Sequence, residues 1–320
     1  MRRQQQNSEG NDMQYVVKDN ALINASYNLD LVEQRIIVLA IIEARETGKG
    51  ISANDALTIH ASSYIEAFNV EKHTAYKALK EASKNLFARQ FSYQERTKKG
   101  NIINQTSRWV SQVGYADKEG CIQLIFAPAV VPLITQLEKQ FTTYDLEQVA
   151  RLSSKYAMRL YELLISWRAK GSTPIYELED FRNRLGLGCK EYSAMSDFKK
   201  YVLDLALNQI NEHTDIKAEY KQHKKGVRIS GFSFSFKPKK TKSVEKFKKL
   251  ALTDKQRYFF ASKLSELPEM SKYSEGSESY EQFAVRIAEM LKNPDRIKEL
   301  YPNLNKVGYM PSSKKDVANG

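Results

Sequence analysis

Apolar side chains between Asn28 and Arg45 fall on nearly every face, including the unbroken run Ile36 to Ile42. A helix apolar all round is a buried helix. Asn28 is its predicted N-cap and Gly48 its stop. A short strand, Leu57-Thr-Ile59, comes next. A short helix from Ser62 to Phe68, a turn at Asn69 and a longer helix from Glu71 to Phe87 follow. Alternation then predicts a hairpin, with strands Gln90 to Arg96 and Ile102 to Val113 around Thr97-Lys-Lys-Gly-Asn101. A last strand, Ile122 to Phe126, ends before Pro128.

The same order recurs. A second helix runs from Ser153 to Ala169, capped by Ser153 or Ser154 and closed by Gly171. A short strand, Pro174 to Tyr176, and a helix, Glu179 to Leu185, lead to a turn at Gly186 and Gly188. A longer helix spans about Ala194 to Glu212. A hairpin follows, with its tip at His223-Lys-Lys-Gly226. Both hairpin tips read Lys-Lys-Gly, and Tyr76-Lys77 aligns with Phe198-Lys199. Helix, strand, helix–turn–helix, hairpin is the order of a winged-helix domain, and a matched repeat argues for two of them. The predicted class is α+β, with two pseudo-symmetric winged-helix domains and a small helical appendage. Between the copies, Ala129 to Leu152 carries an amphipathic helix, Val131 to Lys139, and a turn at Thr142 to Asp145. After the second copy, helices are predicted from Leu252 to Leu264 and from Tyr280 to Lys292, with a loop between them and a stop at Asn293-Pro294.

Five segments result. Residues 1–14 are expected to be disordered, 15–130 to form the first winged-helix domain and 131–240 the second. Residues 241–310 form a Lys-rich linker with the appendage, and 311–320 a disordered tail.

The helix faces carry the candidate chemistry. His73, Lys77, Lys80 and Lys84 make one stripe at spacings of four, three and four. Like charges at that spacing repel, which phosphate would relieve. In the later helix, Phe198, Val202, Leu205 and Ile210 are the expected buried side. Ser193, Ser196, Lys199 and Lys200 crowd its exposed N-terminal turns, where a helix attracts anions and meets base edges.

Composition sharpens this reading. The chain has 320 residues, 42% of them hydrophobic, and a net charge of +12. Residues 217–249 hold 12 basic and 2 acidic side chains, so 33 residues carry nearly the whole imbalance. Alternating patterns at 216–220 and 227–236 make this a charged hairpin with a Lys-rich tail, a surface suited to phosphate. No apolar run reaches the roughly 20 residues a bilayer needs, and Met1 to Gln14 lacks a signal-peptide pattern, so a reduced, cytoplasmic setting is expected.

No catalytic pattern emerges. There is no GxxxxGK[ST], and the histidines at 60, 73, 213 and 223 form no HxH or HExxH pair. Gly186-Leu-Gly188 reads as a helix C-cap and turn. Packing accounts for Cys121 and Cys189. No enzyme activity, metal or cofactor is expected.

The stretches NALINASYNLDLVEQRIIVLAI (20–41), LTIHASSYIEAFNV (57–70), AYKALKEASKNLF (75–87) and SSKYAMRLYELLISWRAKG (153–171) resemble the initiator Rep proteins of iteron-controlled, theta-replicating bacterial plasmids. So does FRNRLGL…YSAMSDFKKYVLDLALNQINEHTDIKAEY (181–220). The resemblance spans about 15–240, in order. It implies a protein that binds repeated origin DNA, helps open the origin and recruits host replication proteins such as a helicase and the host initiator. It also implies a dimer that represses its own promoter at an inverted repeat. By this resemblance Ser193 to Lys200 reads the DNA, with Lys221, Lys224, Lys225 and Arg228 on its wing. His73, Lys77, Lys80 and Lys84 are the first-unit counterpart, with Lys98 and Lys99. The first unit carries the dimer contact, for which the strand bearing Ile102, Ile103, Trp109, Val110 and Val113 is the candidate. A tandem winged-helix transcription repressor without an initiator role needs the same grooves and phosphates, and it stays open on sequence grounds.

Overall fold

The computed structural model describes residues 14–50, 52, 54–97, 99–135, 141–239, 252, 254–274 and 278–307. Residues 1–13 and 311–320 of the expected disordered ends, the Lys-rich stretch 240–251 and Lys98 lie outside the described residues; Gln14 is described, and its carbonyl accepts from the Leu146 amide. The chain divides into one compact unit up to Lys239 and a second from Lys240 onward.

The first unit opens with β1 (Tyr15–Asp19), α1 (Asn20–Asn24) and β2 (Ser26–Tyr27). Helix α2 (Leu31–Thr47) starts at Asp30, not Asn28. The Asp30 side chain accepts from the Glu33 amide, while the Glu33 side chain accepts from the Asp30 amide, a reciprocal capping box. It ends at Gly48, left-handed at φ 68°. Ile36 to Ile42 are all buried. At about 1.5–3 kcal/mol for each large apolar side chain fully withdrawn from water, this helix anchors the core.

β3 (Leu57–His60), α3 (Ala61–Phe68) and α4 (Lys72–Leu86) follow, with Asn69 in the left-handed conformation between the helices. Then come β4 (Gln90–Arg96), β5 (Ile102–Arg108), β6 (Val110–Ala116) and β7 (Cys121–Phe126). The expected strand from Ile102 to Val113 is thus broken at Trp109. β4 and β5 join β2 in one sheet, ordered β2-β4-β5; β6 and β7 join β3 in another, ordered β3-β7-β6.

After α5 (Val131–Thr135), the expected turn at 142–145 is strand β8 (Phe141–Asp145). It pairs antiparallel with β1, Tyr15 opposite Asp145 and Asp19 opposite Phe141. A segment grouped by sequence with the second winged helix therefore completes a sheet with the first strand of the chain. α6 (Glu147–Ala150) leads to α7 (Lys155–Ile165), buried from Tyr156 to Ile165. β9 (Tyr176–Glu177) and α8 (Leu178–Arg184) follow. α9 (Met195–Asp197), a π-helical stretch (Phe198–Asp204) and α10 (Leu205–His213) then run without a break. π-Helical winding moves the buried side around the axis. Leu203 and Leu207 face the core, and Leu205, expected inside, is 42% exposed. β10 (Ile216–Lys225) and β11 (Arg228–Pro238) complete the sheet β10-β11-β9.

The two halves of this unit are joined by a buried charge cluster. The Glu162 carboxylate accepts from Lys18 Nζ at 2.6 Å, Tyr144 OH at 2.6 Å, Arg159 at 2.9 Å and Tyr27 OH at 3.4 Å. Arg159 also donates to the carbonyls of Ile23, Ala25 and Arg184. Burial alone would push the Glu162 carboxyl up, but Lys18 and Arg159 together hold it below the usual carboxylate range. Gly186, at φ +77°, brings α8 so close to Tyr27 that a Cβ would lie 2.4 Å from its carbonyl oxygen. A side chain there would force the halves apart.

The second compact unit is helical: α11 (Asp254–Ser265), a 3-10 turn (Pro268–Tyr273), α12 (Tyr280–Met290) and α13 (Pro294–Lys306). Ser279 and Gln282 form a capping box for α12. Leu264, Met270, Ile287, Leu300 and Leu304 center its own core. α13 was not expected, because Pro294 reads as a stop; at the first helical position proline's missing N–H costs nothing.

Candidate nucleic-acid interface

Topology decides which hairpin is a wing. In the second half, β10 pairs with β11, and β11 pairs with β9, the short strand before the helix–turn–helix. In the first half, β3 pairs with β7, and β7 pairs in turn with β6. The wing of the first half is therefore β6–β7, with its tip at Asp117-Lys-Glu-Gly120. The β4–β5 hairpin is an insertion that pairs with β2. This corrects the matching of the two Lys-Lys-Gly tips: Lys99 sits on the inserted hairpin and not on a wing, and its neighbour Lys98 lies outside the described residues. Strand partners are set by long-range pairing, which a shared tripeptide does not report.

The stripe on α4 is exposed as predicted at His73, Lys77, Lys80 and Lys84, opposite buried Ala75, Leu79, Ala82 and Leu86. Two of its cations have acidic partners. Lys80 Nζ lies 2.5 Å from Asp117 on the wing turn, and Lys84 pairs with Glu81 at 3.2 Å. The Asp117 carboxylate bonded to it raises the Lys80 ammonium above its ordinary value. Both pairs are largely solvent-exposed, so water and salt weaken them. The turn is held on the helix by Gly120, at φ +61°, where a Cβ would lie 2.3 Å from the Tyr76 ring.

The second half presents a different surface. Ser193, Ser196 and Lys200 are exposed at the start of the α9–α10 helix, and Lys199 is half-buried. Arg182 holds the carbonyls of Glu191 and Tyr192 just before it, with Tyr192 at φ 45°. Lys221, Lys224, Lys225 and Arg228 are all exposed on the hairpin. Residues 217–239 hold seven cations and one acid, Glu219. Lys199 Nζ donates to Gln222 Oε1 on β10 at 2.5 Å, so helix and wing are tied at their base. Sequence reasoning missed Gln222 and Asp117. The Asp-Lys-Glu-Gly run between two apolar strands was a legible hairpin signal for Asp117; nothing local marked Gln222.

The candidate dimer strand needs correction. Trp109 and Val110 are 0% exposed. Trp109 packs edge-on to Tyr27, with ring centroids 4.9 Å apart, and against Phe91 at 5.0 Å. Side chains already buried in their own core have no surface to give a partner. Val113 is half-buried, while Ile102 and Ile103 are 59% and 42% exposed on β5, the edge of its sheet.

Among the described residues, no group of three or more His, Cys, Asp or Glu side chains is placed to hold a metal, and no helix is long and apolar enough to cross a membrane.

Two winged-helix units on one core, the second with a basic helix and wing, define a tandem winged-helix DNA-binding protein. The family models of the initiator replication protein match it over residues 15–165 (WH1) and 177–236 (WH2). The chain belongs to this family of initiator Rep proteins, a family of DNA-binding replication initiators and not a recognised enzyme family. A replication initiation protein of Escherichia coli is 24% identical over 207 residues, covering 63% of this chain and 63% of that protein. The crystal structure of Pi initiator protein in complex with iteron DNA shares the fold, with a TM-score of 0.54, 22% identity, and coverage of 72% of this chain and 100% of that one. The WH1 domain of MSBI1.176, a replication protein isolated from a multiple sclerosis patient, is 74% identical, covering 38% of this chain and 92% of that one, with a TM-score of 0.33.

Proposed function

We propose that this protein initiates plasmid replication by binding repeated origin sequences as a monomer, helping to open the origin and recruiting host replication proteins such as a helicase and the host initiator. As a dimer it represses its own promoter. The reading rests on family membership and, within this chain, on one observation. The exposed start of the α9–α10 helix and the cationic β10–β11 hairpin are tied together at Lys199 and Gln222. A helix end that meets base edges beside a wing that meets phosphate divides the work as sequence-specific readers do. Ser193, Ser196, Lys199 and Lys200 read bases. Lys221, Lys224, Lys225 and Arg228 hold the backbone. His73, Lys77, Lys80 and Lys84 on α4 add weaker backbone contacts, and Lys98 and Lys99 reach DNA only if it passes the inserted hairpin. Dimerisation uses the free edge of β5 with Ile102 and Ile103, since an unpaired edge strand is a template for a second copy. The proposed setting is the cytoplasm.

The test is a footprint of the full chain on the DNA flanking its own gene. Protection of directly repeated sites beside an A·T-rich stretch is expected. Protection of a lone palindrome and nothing else would leave a transcription repressor.

A further inference from the structure

The β10–β11 hairpin ends in a feature that its turn does not require. Lys225 pairs with Arg228, leaving Gly226 and Val227 as a two-residue loop. Gly226, at φ +64°, supplies the left-handed residue that a tight hairpin of this kind needs at its first central position. The second position carries no such demand and is ordinarily polar. Here it holds Val227, 93% exposed, well above the other exposed large apolar side chains of the described residues. No apolar neighbour accompanies it at the tip. Lys224, Lys225 and Arg228 surround it, all exposed. An apolar side chain ringed by cations suits a polyanion with an apolar interior, which is the description of a base-paired duplex. A protein-docking hot spot would instead carry an apolar or aromatic cluster.

The tip is also aimed. The pairing register shifts between His223 and Lys224, a bulge that bends and twists the end of the hairpin. His223 Nε2 and Ser233 Oγ, 2.7 Å apart, close the hairpin beneath the bulge. Lys199 and Gln222 join its base to the α9–α10 helix. With that helix in a major groove, the wing reaches the adjoining backbone and the minor groove behind it. That groove is about 6 Å wide, enough for one branched side chain flanked by cations on its phosphate walls. The tip of the first wing, Asp117-Lys-Glu-Gly120, has no apolar residue, so the device belongs to one wing.

We infer that Val227 is a minor-groove wedge: it enters between base pairs beside the major-groove site, partly unstacks one step and bends the duplex. Apolar wedges of this kind kink DNA by roughly 20–90°, and pyrimidine–purine steps yield most readily. Val227 would then select sequence at a step that no hydrogen bond reads. The inference rests on the proposal that the second winged helix binds duplex DNA.

The experiment uses the full chain and a duplex of about 30 base pairs selected by it from a random-sequence library. Fluorophores at the two ends report bending, and titration reports affinity. The wild-type chain is expected to bend the duplex by about 20–90°. It should also lose about tenfold in affinity when a flexible TA or CA step under the wing is replaced by a stiff A-tract step. V227S should lose most of the bend and the step preference, with its salt slope and melting temperature unchanged. V227I should keep both. Equal bending and equal step preference in wild type and V227S would overturn the wedge while leaving the DNA-reading assignment intact. A wild-type chain that selects no duplex from the library would remove that assignment and the wedge with it.

Discussion

The two winged helices share a plan and differ in electrostatics. In the first, the wing tip is acidic at Asp117 and Glu119, and Asp117 occupies Lys80 of the adjacent helix. In the second, the wing carries Lys221, Lys224, Lys225 and Arg228, and the helix lysine nearest to it, Lys199, bonds a neutral glutamine. One fold thus yields a surface that partly neutralises itself and one whose charge stays available for phosphate. Fold-level equivalence therefore does not carry function, which is argued from the side chains of each half.

The joint between the halves offers the largest perturbation. Glu162→Ala would leave Lys18 and Arg159 buried without their carboxylate, at a cost of about 3–5 kcal/mol in chemical denaturation. The pH dependence has a definite sign. The Glu162 carboxyl is held below its ordinary value, so its contribution is present above the unfolded carboxylate range, near pH ~4, and is lost as pH falls through the lower folded value. The stability gap between wild type and Glu162→Ala should be full at pH 7 and narrow only as pH falls below about 4. A gap independent of pH would mean that the carboxylate charge is not what holds the joint.

The wing comparison comes next. Replacing Lys221, Lys224 and Lys225 with Ala should lower the salt slope by about 2.7 and the affinity roughly a hundredfold near 0.15 M salt, for specific and random duplex alike. Unchanged slopes would remove the second wing from the backbone. Lys200→Ala should lower discrimination between cognate and scrambled duplex by on the order of tenfold, the scale of one base contact of about 1–3 kcal/mol. The smallest effect is expected at Lys80→Ala: a loss of about two- to threefold for both duplexes, with at most about one unit of salt slope. If competition titration instead finds that Lys80→Ala changes the specificity ratio and Lys200→Ala does not, the roles of the two halves are reversed.

Much of this was readable along the chain because it is local. The first helix apolar on nearly every side, the α4 stripe, the Gly48 stop and the repeat all follow from spacing, and spacing is what a helix reads. The basic charge of 217–249 was equally plain. Tertiary structure decided what depends on partners distant in sequence. It made β6–β7 the first wing and β4–β5 an insertion, although the latter bears the Lys-Lys-Gly tip that matches the second wing. It broke the strand at Trp109 and turned that residue and Val110 inward, and it paired β8 with β1 across more than a hundred residues. It set Asp117 on Lys80 and Gln222 on Lys199. The physical reason for the strand and ion pairings is the same: a strand shows its hydrogen-bonding edge to any partner, and a long cation reaches any nearby oxygen. Only the packing of the whole chain around α2 and α7 selects which partners those are.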